Sequence, residues 1–126
     1  LSGRSVVKRW DTIDFRKRVS SVRRGEVSWM FSKPAMIYGF AAFWEAELVP
    51  GVRLTTSPFA PVTHWEQIVL PLVSPLTVKK GDTLKLWIRA QTDYSVGLRV
   101  QWEAIVVRKG RTIQKVAMDM RRGDLD

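Results

Sequence analysis

The stretch KKGDTLKLWIRA at residues 79–90 decides the fold of this chain. It opens with a turn signal, in which Gly81 can adopt the positive φ that other residues avoid. Apolar and charged side chains then alternate, a period of two that is typical of a β-strand with one buried face. The inward positions are Leu84, Leu86 and Ile88, and the outward ones are Lys85, Trp87 and Arg89. The stretch therefore predicts a strand that follows a tight turn.

The same kind of pattern recurs along the chain. Further strands are predicted at residues 27–31, 36–48, 68–73, 98–107 and 112–120, with turns at residues 49–52 and 109–111. Pro71 predicts that its strand is broken and lies at an edge or a bulge. No segment has a sustained helical period. Several short strands separated by turn signals predict an all-β fold, an antiparallel β-barrel or sandwich.

The tryptophans divide into two groups by this pattern. Trp29 and Trp44 lie on strand patterns and are predicted to fill the core, whereas Trp10, Trp87 and Trp102 are predicted at the surface or at a domain boundary. Basic residues interleave with Trp87, which is also the pattern of a stacking groove for single-stranded nucleic acid. The same spacing is ordinary for a barrel strand, which is the interpretation we favour.

Length and composition predict a single compact domain. The 126 residues are 45% hydrophobic, which is enough for a core. There is no cysteine, hence no disulfide framework, thiolate nucleophile or cysteine metal cluster, and we expect a reducing, cytoplasmic location. No apolar run is long enough to span a membrane, and residues 1–10 lack the apolar core of a signal peptide. We expect a basic, loose segment at residues 1–9, the barrel at 10–121 and a tail at 122–126.

The net charge of +9 is concentrated at the two ends of the chain. Residues 1–25 hold eight Lys or Arg against two Asp, a balance of +6, and residues 108–126 hold six against three, a balance of +3. Residues 26–107 hold seven of each sign. A basic patch attracts phosphate backbones, but the favoured interpretation is a solvated surface, or one that faces an acidic partner domain. No known nucleic-acid-binding motif is present, so nucleic acid is not favoured as a partner.

The chain's only histidine lies in a loop-like segment, LTTSPFAPVTHWEQ at residues 54–67. Pro58 and Pro61 stiffen the approach to His64 and Trp65, because each proline fixes its own φ and restricts the residue before it. The segment resembles the Thr-His-Trp loop of the protein arginine N-methyltransferases, whose usual pattern is similar to S-T-x-P-x-x-P-x-T-H-W-K-Q.

The resemblance extends in both directions from this loop, over roughly residues 10–121. Residues 39–48 look like the family's strand ending in W-F-D-x-x-F, and residues 75–84 are similar to its P-L-x-V-x-x-G-D-x-I segment. Three places depart from the pattern. Glu66 stands where lysine is common. The family's Asn-Arg-Asp signature is absent near Arg99, although an alternative alignment takes Arg99 as a shifted copy of its arginine. Residues 118–121, MDMR, resemble Y-x-M-R with methionine for tyrosine.

The resemblance implies the C-terminal β-barrel of an enzyme that uses S-adenosylmethionine (SAM). His64 would donate an orienting hydrogen bond to acidic residues of the catalytic domain, Trp65 would wall the arginine pocket, and Thr63 would brace the loop. The alternatives are a histidine bonded to local backbone and a tryptophan packed in the core. Either way, these three residues are the candidate catalytic and substrate-binding set.

The cofactor of such an enzyme is expected outside this chain. None of the eight glycines forms the glycine-rich turn that binds SAM after a strand. We therefore expect no cofactor or metal site here and no activity of this chain alone. Its expected partners are its own N-terminal SAM-binding domain and a protein or peptide substrate. The family's dimerisation arm is expected to be absent.

A second hypothesis comes from another functional class. The charge at both ends of the chain favours a stand-alone basic β-barrel module that binds nucleic acid or an acidic protein. The collinear match around His64 favours the barrel of a methyltransferase, which shapes the substrate cleft. We adopt the methyltransferase as the main hypothesis.

Overall fold

The computed structural model describes residues 7–13, 20–43, 45–49, 52–55, 68–93, 97–121 and 123–124. In these ranges the regular structure is entirely strand, which confirms the all-β prediction. The strands are β1 (Val22–Met30), β2 (Ala35–Ala42), β3 (Glu45–Val49), β4 (Val52–Thr55), β5 (Ile68–Val78), β6 (Thr83–Asp93), β7 (Gly97–Arg108), β8 (Arg111–Asp119) and β9 (Gly123–Asp124). Within the described ranges no helix has the length and hydropathy that a membrane span requires.

The chain divides into two compact units, one of Leu1–Tyr38 with Leu72–Asp126 and one of Gly39–Pro71. The first unit contains a five-stranded sheet in the order β1-β6-β7-β8-β9, with every neighbouring pair antiparallel. The second contains the antiparallel hairpin β3–β4, in which Val49 pairs with Val52, as the predicted turn requires. A further two-stranded sheet pairs β2 with β5.

One face of the five-stranded sheet forms the core of the first unit. The buried positions follow the period of two on each strand, and register aligns them across the sheet, so that Val27 lies opposite Leu86 and Leu86 opposite Ala104. Leu84 is only 2% exposed, and Ala104 and Val106 are fully buried. The prediction that Leu84, Leu86 and Ile88 face inward is confirmed, since all three are buried. A one-residue shift in register would turn these side chains to solvent.

Two predicted turns are confirmed by their backbone geometry. Lys109 and Gly110 both have positive φ, 51° and 76°, which is the type I′ turn that matches the twist of a two-residue hairpin. Gly81, with φ of 90°, lies in the turn between β5 and β6. That turn is joined to the end of β1, since Phe31 N donates to Asp82 O at 2.9 Å and Gly81 N donates to Phe31 O at 2.7 Å.

The strand predictions at residues 36–48 and 68–73 were wrong in their extent. The first is two strands, β2 and β3, because the chain leaves the ladder with β5 after Ala42 and enters a different ladder, with β4, at Glu45. The second is not broken at Pro71, since β5 continues to Val78. In a two-stranded sheet each strand has an edge outside that ladder, and proline is tolerated there because it needs no ladder donor.

The prediction that Trp102 lies at the surface was also wrong. Its side chain is 4% exposed and belongs to the core, since its register partners Ile88 and Met118 also face inward. Trp87 does lie on the outward face, half-buried, and Trp29 is half-buried on the inward face of β1. Trp44 lies outside the described residues.

Candidate functional site

The predicted site residues Thr63, His64 and Trp65 lie outside the described residues. The strands nearest to them in sequence are described: β4 ends at Thr55 and β5 begins at Ile68. The roles assigned to the three side chains therefore stay predictions.

The most elaborate polar cluster in the described part of the chain surrounds Asp119, at the end of β8. Its carboxylate is fully buried, although the strand places it on the outward face of the sheet. Oδ2 accepts hydrogen bonds from Arg99 Nε at 3.0 Å, Arg99 Nη2 at 2.6 Å and Gln101 Nε2 at 3.0 Å, and Oδ1 accepts one from the Arg121 N–H at 2.9 Å. Arg121 Nη2 also donates to Leu98 O at 3.2 Å. The cluster ties the start of β7 to the turn after β8.

Hydrogen bonding determines the charge state of this carboxylate. The Arg99 guanidinium is the main cause that lowers the pKa of Asp119 to about 2, with further lowering from the Arg121 N–H and Gln101, against the opposing effect of burial. The Asp119 side chain is therefore an anion at neutral pH, and its negative charge neutralises the positive charge of Arg99. A buried acid that is fully ionised and fully bonded is a structural anchor, not a proton donor.

Sequence reasoning singled out both halves of this cluster but did not join them. In one alignment Arg99 is a shifted copy of a family arginine, and MDMR at residues 118–121 resembles an altered Y-x-M-R motif. The structure brings the two departures together, because Gln101 pairs with Asp119 across the β7–β8 ladder and Arg99 lies two residues away on the same face. The proximity of Arg99 and Asp119 follows only from the register of the hairpin at residues 108–111, which places Gln101 opposite Asp119.

A second buried carboxylate fixes the turn between β5 and β6. Asp82 is 1% exposed; Arg108 holds it in a bidentate pair, Nε to Oδ1 and Nη2 to Oδ2, both at 2.8 Å, and Lys79 N donates to Oδ2 at 2.8 Å. The Arg108 guanidinium is the main cause that lowers the pKa of Asp82 to about 2. The pair ties this turn to the end of β7, and the Asp82 carboxyl is ionised at neutral pH.

The N-terminal segment is held against β1 by a third pair. Arg23 Nε and Nη2 donate to the two carboxylate oxygens of Asp11 at 2.7 and 2.6 Å, and Nη2 also donates to Thr12 O at 3.0 Å. Trp10 approaches β1 so closely that a Cβ on Gly25 would overlap its carbonyl oxygen. Gly25 is therefore required by a close approach of two backbones.

The described residues provide no site for a metal or for SAM. Among them no group of three or more His, Cys, Asp and Glu side chains is arranged to hold a metal ion. Their positive-φ glycines, Gly81 and Gly110, lie in turns between antiparallel strands and not before a helix, where a nucleotide-type cofactor would meet backbone N–H groups. What these residues build is a rigid frame of sheet and ion pairs.

Comparison with known proteins identifies this frame. The model of the arginine methyltransferase oligomerization subdomain matches residues 6–103. The chain belongs to the arginine methyltransferase family. Protein arginine N-methyltransferase 2 of Homo sapiens is 29% identical over 74% of this chain and 24% of its own length. The histone-arginine methyltransferase CARMER of Drosophila ananassae is 30% identical over 60% of this chain and 16% of its own length.

The match also bears on the remaining expectations. A third relative, protein arginine N-methyltransferase 2 of Xenopus tropicalis, is 37% identical over 39% of this chain and 12% of its own length. The chain thus spans less than a quarter of the length of each of these arginine methyltransferases. The match favours the methyltransferase hypothesis over the stand-alone binding module. Its description names oligomerization and gives no support to the expectation that a dimerisation arm is absent.

Proposed function

We propose that this chain is the β-barrel that forms the substrate cleft of a SAM-dependent arginine methyltransferase, working with a SAM-binding domain of the same protein. The observation that carries the proposal is the family match over residues 6–103, which includes the whole loop with His64. The described residues supply a scaffold of antiparallel sheet and buried ion pairs. The methyl donor is bound by the other domain.

In this proposal the loop between β4 and β5 faces the guanidinium of the substrate. His64 donates a hydrogen bond to a carboxylate of the SAM-binding domain and so fixes the group that orients the substrate. Trp65 packs its indole face on the guanidinium, a cation–π contact of about 0.5–2 kcal/mol. Thr63 braces the loop through its hydroxyl. Glu66, where the family pattern has lysine, adds a negative charge beside the cationic substrate.

The hydrogen bonds and ion pairs that follow the loop in sequence support the role of a scaffold. β5, which follows the loop, leads into the turn that the Asp82–Arg108 pair fixes. Near the end of β5, the Thr77 N–H donates to Gln114 Oε1 at 3.0 Å, and Gln114 Nε2 donates to the Thr77 carbonyl oxygen at 2.7 Å.

The test is methyl transfer by the full-length protein from labelled SAM to an arginine-rich peptide, with the methylated residue identified by amino-acid analysis. We expect methylarginine, and we expect Trp65→Ala to raise KM several-fold more than Trp65→Phe, which keeps an aromatic face. Lys80→Ala, an exposed change in the turn after β5, is the matched control and should behave as the wild type. Bound SAM with no transfer to arginine would contradict the proposed acceptor.

A further inference from the structure

Three connections of the first unit meet at one end of its five-stranded sheet. They are residues 31–34 after β1, residues 79–83 at the start of β6, and residues 107–112 around the β7–β8 hairpin. The strand order places β6 between β1 and β7, and backbone hydrogen bonds and the Asp82–Arg108 pair join the connections. Because neighbouring strands lie about 4.8 Å apart, the three connections fall within roughly 15 Å. We call this surface the basic end.

The basic end carries a large excess of positive charge. Its three connections hold six Lys or Arg against one Asp, a balance of +5. That one acid is Asp82, which is buried and already paired with Arg108. Among the cations, Lys33, Lys79 and Lys109 have exposed side chains, one on each connection. Their charge is therefore presented to solvent without a carboxylate beside it on these connections.

Carboxylates of the adjoining strands do not offset this charge. Glu26 lies five residues before Phe31 along β1, and Glu103 lies five residues before Arg108 along β7, which places each about 16 Å from the basic end. Glu103 Oε1 also contacts Lys115 Nζ, at 3.6 Å. The strands β2 and β5, which follow and precede the basic end in the chain, contain no acidic residue. The missing negative charge must come from a partner.

An apolar groove lies beside these cations. Its volume is about 540 Å³, and its lining includes Pro34, Ala35, Met36 and Thr77 together with Lys79. The Met36 side chain is 51% exposed, and methionine adapts to apolar groups of different shapes. The groove can therefore receive an apolar side chain next to an exposed lysine.

From these two features we propose that the basic end docks an acidic segment of a partner protein. The carboxylates of the segment contact the exposed lysines, and an apolar side chain beside them enters the groove. Opposite charge steers the segment to this surface, and burial of the apolar side chain fixes its register. Because none of these residues belongs to the His64 loop, the inference goes beyond the proposed function and does not depend on it.

Nucleic acid, the other common polyanion, fits the basic end less well. Proteins that bind single strands stack the bases on exposed aromatic rings. Phe31 is the one aromatic residue of the basic end and its groove, and its side chain is only 5% exposed. A duplex presents phosphates but no apolar side chain for the groove. An acidic peptide with an apolar side chain satisfies both the charge and the groove.

The experiment measures binding of a fluorescein-labelled peptide, in which leucines alternate with pairs of glutamates, to the full-length protein by fluorescence anisotropy at fixed salt. Lys33→Gln/Lys79→Gln/Lys109→Gln removes three charges from exposed positions. We expect its Kd for the peptide to rise about tenfold, because each exposed charge pair contributes modestly and three are lost. Met36→Ser should raise Kd about threefold, since the groove loses its exposed apolar side chain. A peptide with serine in place of leucine should bind the wild type correspondingly more weakly.

The controls separate the basic end from general electrostatics. Lys8→Gln/Arg9→Gln/Arg24→Gln removes the same charge from exposed positions outside the basic end, and we expect its Kd to stay within about twofold of the wild type. Circular dichroism verifies that each variant is folded.

Three results would overturn the inference: no measurable binding of the peptide, equal rises in Kd in the two triple variants, or tighter binding of a duplex oligonucleotide than of the peptide. A serine peptide that binds as tightly as the leucine peptide would refute the role of the groove. Binding is measured without turnover, so a failure of the proposed methyl transfer leaves these results unaffected and is distinguished from a failure of the inference.

Discussion

The buried carboxylate of Asp119 gives the sharpest prediction about the frame. Asp119→Asn keeps the shape of the side chain and removes the charge that receives Arg99 and Gln101. A hydrogen bond to a charged group is worth about 1.5–3 kcal/mol, and breaking a buried ion pair costs about 3–5 kcal/mol. Because the Arg99 side chain stays 28% exposed and can be hydrated, we expect the lower part of this range, about 2–3 kcal/mol.

The assay is urea unfolding at pH 7, followed by tryptophan fluorescence. For a protein of this size the expected loss lowers the urea midpoint by about 1 M. A double-mutant cycle with Arg99→Gln isolates the pair, and we expect a coupling energy well above about 1 kcal/mol. Glu103→Gln and Lys115→Gln provide the matched cycle for an exposed pair, whose coupling should stay below about 1 kcal/mol. Equal couplings in the two cycles would refute the argument that burial makes the Asp119 pair strong.

Three further predictions concern the same frame. Gly25→Ala should destabilise the protein measurably in thermal unfolding, because its Cβ would overlap the carbonyl oxygen of Trp10; an unchanged Tm would contradict the close approach. Leu84→Ala, at a site only 2% exposed, should cost about 2–5 kcal/mol in the same urea assay, against less than about 0.5 kcal/mol for Ile113→Ala, which is 41% exposed. The pKa values of Asp82 and Asp119 are lowered to about 2 in the folded state, so the unfolded chain binds more protons at acid pH. The stability that these two groups contribute is therefore present above about pH 4 and is lost as the pH falls towards about 2. The loss of stability with falling pH should be shallower in Asp119→Asn.

Local pattern was sufficient to predict the strands that bury one face. β6 alternates Leu84, Leu86 and Ile88 with charged residues, and no helical arrangement puts these on one side. The hairpin at Lys109 and Gly110 was predicted equally well, since few residues other than glycine accept positive φ. The break at Phe43 between β2 and β3 was not predicted, because an apolar run does not show where the chain changes its pairing partner.

The polar frame required register as well as pattern. Asp119 looks like an ordinary outward-facing residue at the end of β8, and its burial becomes clear only when Gln101 is placed opposite and Arg99 beside it. The surface prediction for Trp102 was wrong, because its inward direction follows from the register that places it opposite Ile88 and Met118. The roles of His64 and its neighbours came from the family resemblance, since residue type alone does not distinguish an orienting histidine from one bonded to local backbone.

The most direct test of the account is methyl transfer by the full-length protein from labelled SAM to an arginine-rich peptide, wild type beside His64→Ala. The account predicts that the variant folds, as judged by circular dichroism, binds SAM as the wild type does, and loses at least about tenfold in transfer rate, because a group that orients the catalytic carboxylates is gone. Transfer at the wild-type rate would contradict the claim that this barrel takes part in the active site.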